Sequence, residues 1–561
     1  MNRISALAFF GLLASLLGAC GSETQSAPGD ESAAGKPQAS AVDAVPAAPA
    51  TSAEALIAAL EVGNLTSESA VAAYLERIEA IDRQGPTLGS IIVLNPDAIE
   101  EARARDAERA AGELRGPLHG VPVLVKDNVE TRELPTTAGS LALAANDTMR
   151  DAPVVARLRA EGAIILGKTN LSEWANFRSF DSISGWSGVG GQARNPHHTD
   201  RTPCGSSSGS GAAVAALLAP LAIGTETNGS ITCPAAMNGI VGFKPTVGLL
   251  SRSGIVPIAA SQDTAGPMTR TVRDAALMLN AMAGSDPADP ATSEADARKA
   301  DYLARIEAGV DGMRIGVFRW AEGDDPRISA AFEAALAALQ SEGAVLVDIA
   351  DFEPDPILEA SGLDLLLMEF RDGVNRYLET TAPAVEARTL SDLIAFNDAN
   401  ADREMPLFDQ SIFVAAAEAP DLDDPEYIRI RDGIKQAAGR DGIDKLLAAH
   451  DVELLVMPSR RPAEPIMPTQ EADDAPNAEE GADDEAETDE TKEDGPARVG
   501  AGWLGAMAGY PIITVPMGDA DGLPLGLTFI GTAWDDEKVL VAGRAYERAS
   551  NMIRMPTFRE D

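Results

Sequence analysis

Apolar and polar positions along this chain follow two periods, and the switches between them predict its elements. Ser52 reads as a helix cap ahead of Ala53-Glu54-Ala55-Leu56-Ile57, and apolar residues recur at helical spacing through Tyr74 and Ile78. A second helix is predicted over Ala98 to Leu114 and an Arg-rich one over 153 to 161. Between them, Gly120-Val121-Pro122-Val123-Leu124-Val125-Lys126 and Ala163-Ile164-Ile165-Leu166-Gly167 are short apolar runs of the kind that form buried strands. Leu221-Ala222-Ile223-Gly224, Ile512-Ile513-Thr514-Val515 and Leu525 to Ile530 repeat that signature. Strands alternating with helices predict an α/β fold with a parallel or mixed sheet.

Two segments depart from both periods. The N-terminus has a short positive start at Asn2-Arg3 and an apolar run from Ala6 to Leu17, which is short for a bilayer span. The run ends in Leu17-Gly18-Ala19-Cys20, which resembles a bacterial lipobox, with Cys20 as the acylated residue of the mature protein. Residues 1–20 are therefore expected to be a lipoprotein signal peptide, and the Ala/Pro/Ser/Gly-rich residues 21–50 a disordered tether. No acidic residue directly follows Cys20, so the expected location is the cell envelope, on the periplasmic side, with outer-membrane sorting in a Gram-negative source. The second departure is Glu471 to Asp494, with 13 acidic residues against Lys492 alone. It has no apolar face, so a disordered acidic insertion of about 470–495 is predicted within one domain over 51–561. It lacks the alternating Asp spacing of a calcium loop.

The charge excludes a class of partners. The 561 residues carry a net −42, of which the insertion supplies only −12, so the whole surface is acidic. Nucleic-acid binding requires a basic surface that displaces counterions, and no basic stripe is present. Membrane contact is expected through the lipid anchor only, and nothing points to an obligate protein partner. Cys204 and Cys233 are read as two small buried thiols, although an oxidising compartment would permit their pairing.

Only four histidines are present: His119, His197, His198 and His450. A Ser-His-Asp hydrolase would need one of them as its base. Gly205-Ser206-Ser207-Ser208-Gly209 has the Gly-x-Ser-x-Gly form, but polar, proline-containing sequence precedes it where a nucleophile elbow needs a buried strand. A lipase-like esterase using Ser207 and His450 is thus the weaker alternative. A Gly/Ser loop over Cys204 to Gly211 runs into the apolar helix Ala212 to Leu218, then the strand at 221–224, then Thr225-Glu226-Thr227-Asn228-Gly229-Ser230. A turn at Gly229 can aim successive backbone N–H groups one way, as a nest for an oxyanion. Ser230 at its edge is the natural nucleophile.

The stretch from Gly205 to Thr246 resembles the amidase signature family, with Gly-Ser-Ser, Gly-Thr-x-x-x-Gly-Ser-Ile and Gly-Phe-Lys-Pro-Thr in register. Lys126 at the end of Gly-Val-Pro-Val-Leu-Val-Lys-Asp-Asn, Gly167-Lys168-Thr169-Asn170 and Gly522 to Leu527 extend the resemblance over nearly the whole chain beyond residue 50. It implies a large mixed, twisted sheet flanked by helices on both sides, and amide hydrolysis with no cofactor and no metal. It also implies a Ser-Ser-Lys triad: Ser230 as acylated nucleophile, Ser206 as bridge and Lys126 as base. The backbone N–H groups of Thr227, Asn228, Gly229 and Ser230 would form the oxyanion hole, and the Gly205–Ser206 peptide would be cis. A lysine base must be neutral, which requires its pKa to fall by about 3 units from about 10.4; burial at the end of an apolar strand can supply that. Asp127 would oppose it if near, but adjacent strand residues point to opposite faces.

Thr169 to Arg178, Ser182-Ile183-Ser184-Gly185-Trp186 and Ile231-Thr232-Cys233-Pro234 resemble the bacterial peptide amidases, which remove the amide from the C-terminus of peptides. Glu226, Asn228 and Thr232 depart from the broader family's Asp, Gly and Arg, which argues against the transamidase component that modifies Glu-tRNA. Asn228 also replaces an Asp frequent among the peptide amidases, which bears on substrate preference rather than on chemistry. A catalytically dead, lipid-anchored binding protein is the rival from another class; intact Lys126, Ser206 and Ser230 speak against it.

Overall fold

The computed structural model describes residues 46–466 and 498–559. The expected signal peptide, Cys20, nearly all of the tether and the acidic run from Glu471 to Asp494 lie outside the described residues.

Eleven strands form one mixed sheet. Its first half comprises β1 (Ile91–Leu94), β2 (Pro122–Lys126), β3 (Ile164–Thr169), β6 (Leu221–Glu226), β7 (Val241–Lys244) and β8 (Thr264–Thr269). Its second half comprises β9 (Arg314–Phe318), β10 (Val345–Ile349), β11 (Leu454–Pro458), β12 (Ile512–Ala520) and β13 (Leu523–Ile530). Their spatial order is β1-β3-β2-β6-β8-β7-β12-β13-β11-β9-β10. A separate two-stranded ribbon joins β4 (Trp186–Ser187) and β5 (Gly191–Gln192). At the centre, β2 runs parallel to both β3 and β6, and β6 pairs antiparallel with β8. Helices cover both faces. Leu454 and Val456 pack into one core cluster while Leu455 and Met457 pack into the other, as the two-residue period of a strand buried on both sides requires.

The helical predictions hold with shifted ends. α1 (Ala53–Glu61) is capped by Ser52, whose Oγ accepts from Ala55 N at 3.1 Å, and α2 (Ser67–Ile78) follows after a turn through Gly63. α3 (Ala98–Ala111) stops short of the predicted Leu114 because Gly112 adopts a left-handed conformation, φ +77°. α4 (Pro153–Ala160) matches the Arg-rich segment. The predicted loop through Gly211 is corrected: α5 (Ser208–Ala215) begins inside it. Gly209 makes this possible, since a Cβ there would lie 2.2 Å from Ser90 O and 2.5 Å from Asn170 O. Helices between residues 357 and 450, absent from the predictions, build the second core.

Candidate active site

The parallel alignment of β2 with β6 brings Lys126 and Thr225 to the same edge of the sheet, since Val125 pairs with Ile223. Lys126 is fully buried at that edge. Its Nζ lies 2.8 Å from Ser206 Oγ, 2.8 Å from Thr225 Oγ1 and 3.4 Å from Thr225 O. Burial lowers its pKa to about 7, against the opposing pull of Asp263 and Glu226. Asp127 does not add to that pull directly: its carboxylate faces away and pairs with buried Lys168 at 2.9 Å.

Ser206 follows a cis Gly205–Ser206 peptide and is fully buried. Its carbonyl accepts from Ser172 N at 3.1 Å, which holds the loop against the segment after β3. Ser230 ends the loop that leaves β6, and its carbonyl accepts from Ser207 N at 3.1 Å. Ser206 and Ser230 line the same cavity, without a hydrogen bond between their hydroxyls among the described residues. Gly229 has φ +91°, and the N–H groups of Thr227, Asn228, Gly229 and Ser230 donate no hydrogen bond among the described residues. Four donors without a partner on one turn are available to an anion.

Glu226 ties down the far side of that turn. Its Oε2 accepts from Ile231 N at 2.7 Å and Thr232 N at 2.9 Å, and from Thr232 Oγ1 at 3.2 Å. This anchors the start of α6 (Thr232–Asn238), and the Thr232 hydroxyl takes part where the broader family has Arg. Asp263 is one residue that sequence reasoning missed. It is half-buried, and its Oδ1 accepts from Thr227 Oγ1 at 2.5 Å while Oδ2 accepts from Ile258 N and Ala259 N at 2.8 and 2.9 Å. Burial raises its pKa to about 6. One carboxyl thus joins the nest to the apolar cavity wall at Ile255–Ile258. Thr225 and Asn128 were missed as well; Asn128 Nδ2 donates to Thr225 Oγ1 at 3.0 Å. Local sequence carries no signal for the Thr227–Asp263 and Asn128–Thr225 contacts, because their partners lie 36 and 97 residues apart.

The cavity measures about 390 Å³. Ser206, Ser230 and Asp263 line it, Val256 and Ile258 form an apolar side, and Tyr377 and Arg376 reach it from the helix at 362–378. Among the described residues no group of three or more His, Cys, Asp or Glu side chains could hold a metal ion.

The Ser207–His450 alternative is not assembled. Ser207 Oγ donates to Thr225 O at 3.0 Å and accepts from Thr225 N at 3.2 Å, so it is spent on β6. His450 ends the helix Lys445–His450 and does not line the cavity. The expectation of two free thiols is also corrected: Cys204 and Cys233 form a disulfide, Cα–Cα 6.0 Å. The turn after Ser230 carries Cys233 into the first turn of α6, beside the loop that holds Cys204, a proximity the 29-residue separation does not reveal.

A sequence model of the amidase family matches residues 69–540. The chain belongs to the amidase family. The amidase resembles the solved structure of a native peptide amidase from Stenotrophomonas maltophilia, with 47% identity and a TM-score of 0.81, covering 91% of this chain and 99% of that one. It is 35% identical over 507 residues to a protein of Arabidopsis thaliana described as a probable amidase, covering 88% of this chain and 89% of the relative. It is also 36% identical over 510 residues to one component of the glutamyl-tRNA(Gln) amidotransferase of Roseiflexus castenholzii, covering 89% of this chain and 96% of the relative. Family membership and the peptide amidase neighbour support amide hydrolysis, on the mixed α/β fold that the sequence resemblance implied.

Proposed function

We propose that this amidase hydrolyses carboxamides, the C-terminal amide of peptides foremost, through Lys126, Ser206 and Ser230. The observation that carries the reading is the 2.8 Å contact of a buried lysine, pKa about 7, with Ser206 Oγ. A neutral Lys126 accepts the Ser206 proton as Ser206 accepts that of Ser230, and Ser230 Oγ attacks the amide carbonyl. The oxyanion is taken by the unpaired N–H groups of residues 227–230. The proton returns through Ser206 to the leaving nitrogen, ammonia departs, and water hydrolyses the acyl-enzyme by the same relay. The missing hydroxyl–hydroxyl bond between Ser206 and Ser230 would form as substrate closes the site, since catalytic hydrogen bonds tighten in complexes.

The peptide assignment is supported by the likeness to the Stenotrophomonas enzyme and by a cavity of about 390 Å³ with an apolar side, large enough for side chains next to the amide. Ammonia release from peptide amides, fatty amides and aryl amides of matched concentration tests it. A kcat/KM for peptide amides at or below that for fatty or aryl amides would refute the peptide assignment. We further propose that the enzyme is exported and held at the membrane by acylated Cys20. Leu17-Gly18-Ala19-Cys20 supports this, and so does a disulfide, which persists in oxidising compartments.

A further inference from the structure

The two serines sit inside a small closed frame. Cys204 precedes Ser206 by two residues, and Cys233 follows Ser230 by three. The disulfide joins the two segments at one end, and the Ser207 N–H to Ser230 O bond of 3.1 Å joins them at the other. Further contacts link the segments: Asn238 Nδ2 donates to Pro203 O at 2.8 Å, and Ser207 Oγ donates to Thr225 O at 3.0 Å and accepts from Thr225 N at 3.2 Å. Inside the frame Cys233 N donates to Gly229 O at 2.8 Å, so the half-cystine is tied directly to the turn of unpaired N–H groups. Cys204 has φ +58°, a conformation that side chains rarely adopt, and its N–H is held by Thr202 Oγ1 at 3.0 Å. The surrounding core strands do not depend on this frame: β2, β3, β6 and β8 are buried throughout and hydrogen-bonded to one another.

We propose that the Cys204–Cys233 disulfide is a positioning element that sets the separation of Ser206 from Ser230, so that a thiol reductant switches the amidase off without unfolding it. The inference rests on the roles given above to those two serines. Without the covalent bond only hydrogen bonds tie the two segments, and these reach Pro203 and Ser207 rather than Ser206 itself. A misplacement of about 1 Å between reacting groups costs on the order of 100-fold in rate. Cys204 is half-buried whereas Cys233 is 1% exposed, so attack comes at Cys204. The thiolate of a dithiol bonds to Cys204 Sγ, the S–S bond breaks, and its electron pair leaves on Cys233 Sγ, which takes up a proton. The dithiol's second sulphur then displaces Cys204, leaving two protein thiols and the reductant as its own disulfide.

The test uses the folded enzyme with dithiothreitol and an N-acetylated dipeptide amide. Thiol counting, near-ultraviolet circular dichroism, kcat, KM and the rate of phosphonate labelling at Ser230 are followed together. The expected result is a gain of two thiols and an unchanged dichroism signal. With them kcat falls by about 10-fold or more, KM stays nearly constant, labelling slows in parallel, and reoxidation restores all of these. Cys204→Ala should show the low kcat with or without reductant. A reduced enzyme that keeps its kcat overturns the proposal. So does loss of the dichroism signal in step with activity, which would assign the bond to the fold. Oxidised Ser230→Ala distinguishes the premises: if it turns over, the roles given to the serines fail; if it is dead while reduced wild type is fully active, only the positioning role fails.

Discussion

Lys126 Nζ and Ser206 Oγ, 80 residues apart in sequence, meet at 2.8 Å in a fully buried contact. Burial holds the lysine near a pKa of about 7, so its free-base form is well populated at neutral pH. The base is active only when deprotonated. Activity should therefore rise with pH along a limb centred near 7 and level off above it. Lys126→Ala should remove about 10²–10⁴ of the rate at neutral pH. Lys126→Arg should not rescue it, because a guanidinium cannot give up its proton there. His450→Ala should be indistinguishable from wild type. A pH–rate profile of the three variants checks this, and an active Lys126→Ala would remove the lysine from the mechanism.

Ser230→Ala should abolish turnover while leaving the thermal unfolding temperature nearly unchanged, since the residue lies on a turn outside both core clusters. A serine-directed phosphonate should label the peptide containing Ser230. Labelling of Ser207 would require its two bonds to Thr225 to break and would revive the esterase alternative.

The Asp263 carboxylate raises the pKa of Lys126, opposing the burial that lowers it. Removing its charge should therefore shift the alkaline-rising limb to lower pH, by on the order of one unit for a nearby charge. Asp263→Asn keeps an acceptor for Ile258 N and Ala259 N, so the cavity wall should persist. The measurement is the limb's midpoint in the variant. A midpoint that stays put or moves up would show that Asp263 does not act on the base.

Acylation at Cys20 predicts partition of the mature protein into detergent, and its release or arrested processing in Cys20→Ser. Recovery of native protein in the cytosol with Met1 retained would end the export proposal.

The run from Glu471 to Asp494 has charge and no apolar periodicity. Replacing it with a short Gly/Ser linker should leave kcat/KM unchanged, and limited proteolysis should cut there first. Loss of activity in a folded deletion variant would instead make the run part of the substrate path.

Much of the sheet is legible in the sequence because it is buried on both faces. Continuous apolar runs such as 121–125, 163–166 and 221–223 leave little alternative to a core strand, and β2, β3 and β6 stand where those runs do. The helices from 357 to 450 are legible only in part: Gly362–Leu378 and Pro425–Ala438 carry helical apolar spacing in their own sequence, whereas short pieces such as Ile357–Ala360 and Ala401–Glu404 do not. α5 starts earlier than its sequence suggests because glycines normally weaken a helix; at Gly209 the missing Cβ is what admits close contact with Ser90 O and Asn170 O.

The sequence by itself determined the chemistry on offer: too few histidines in the right context for a histidine base, a lysine closing an apolar strand, and serines flanking a glycine turn. Those are local properties, fixed by residue type and immediate neighbours. Tertiary structure alone decided that Lys126 reaches Ser206, that Asp263 bridges the turn to the cavity wall, and that Cys204 pairs with Cys233. The first depends on the parallel register of β2 with β6, the second on the antiparallel pairing of β6 with β8 that sets Glu226 opposite Thr264, and the third on the turn that follows β6. Register is set by the packing of a whole sheet, so contacts between its strand ends are not encoded in any one segment.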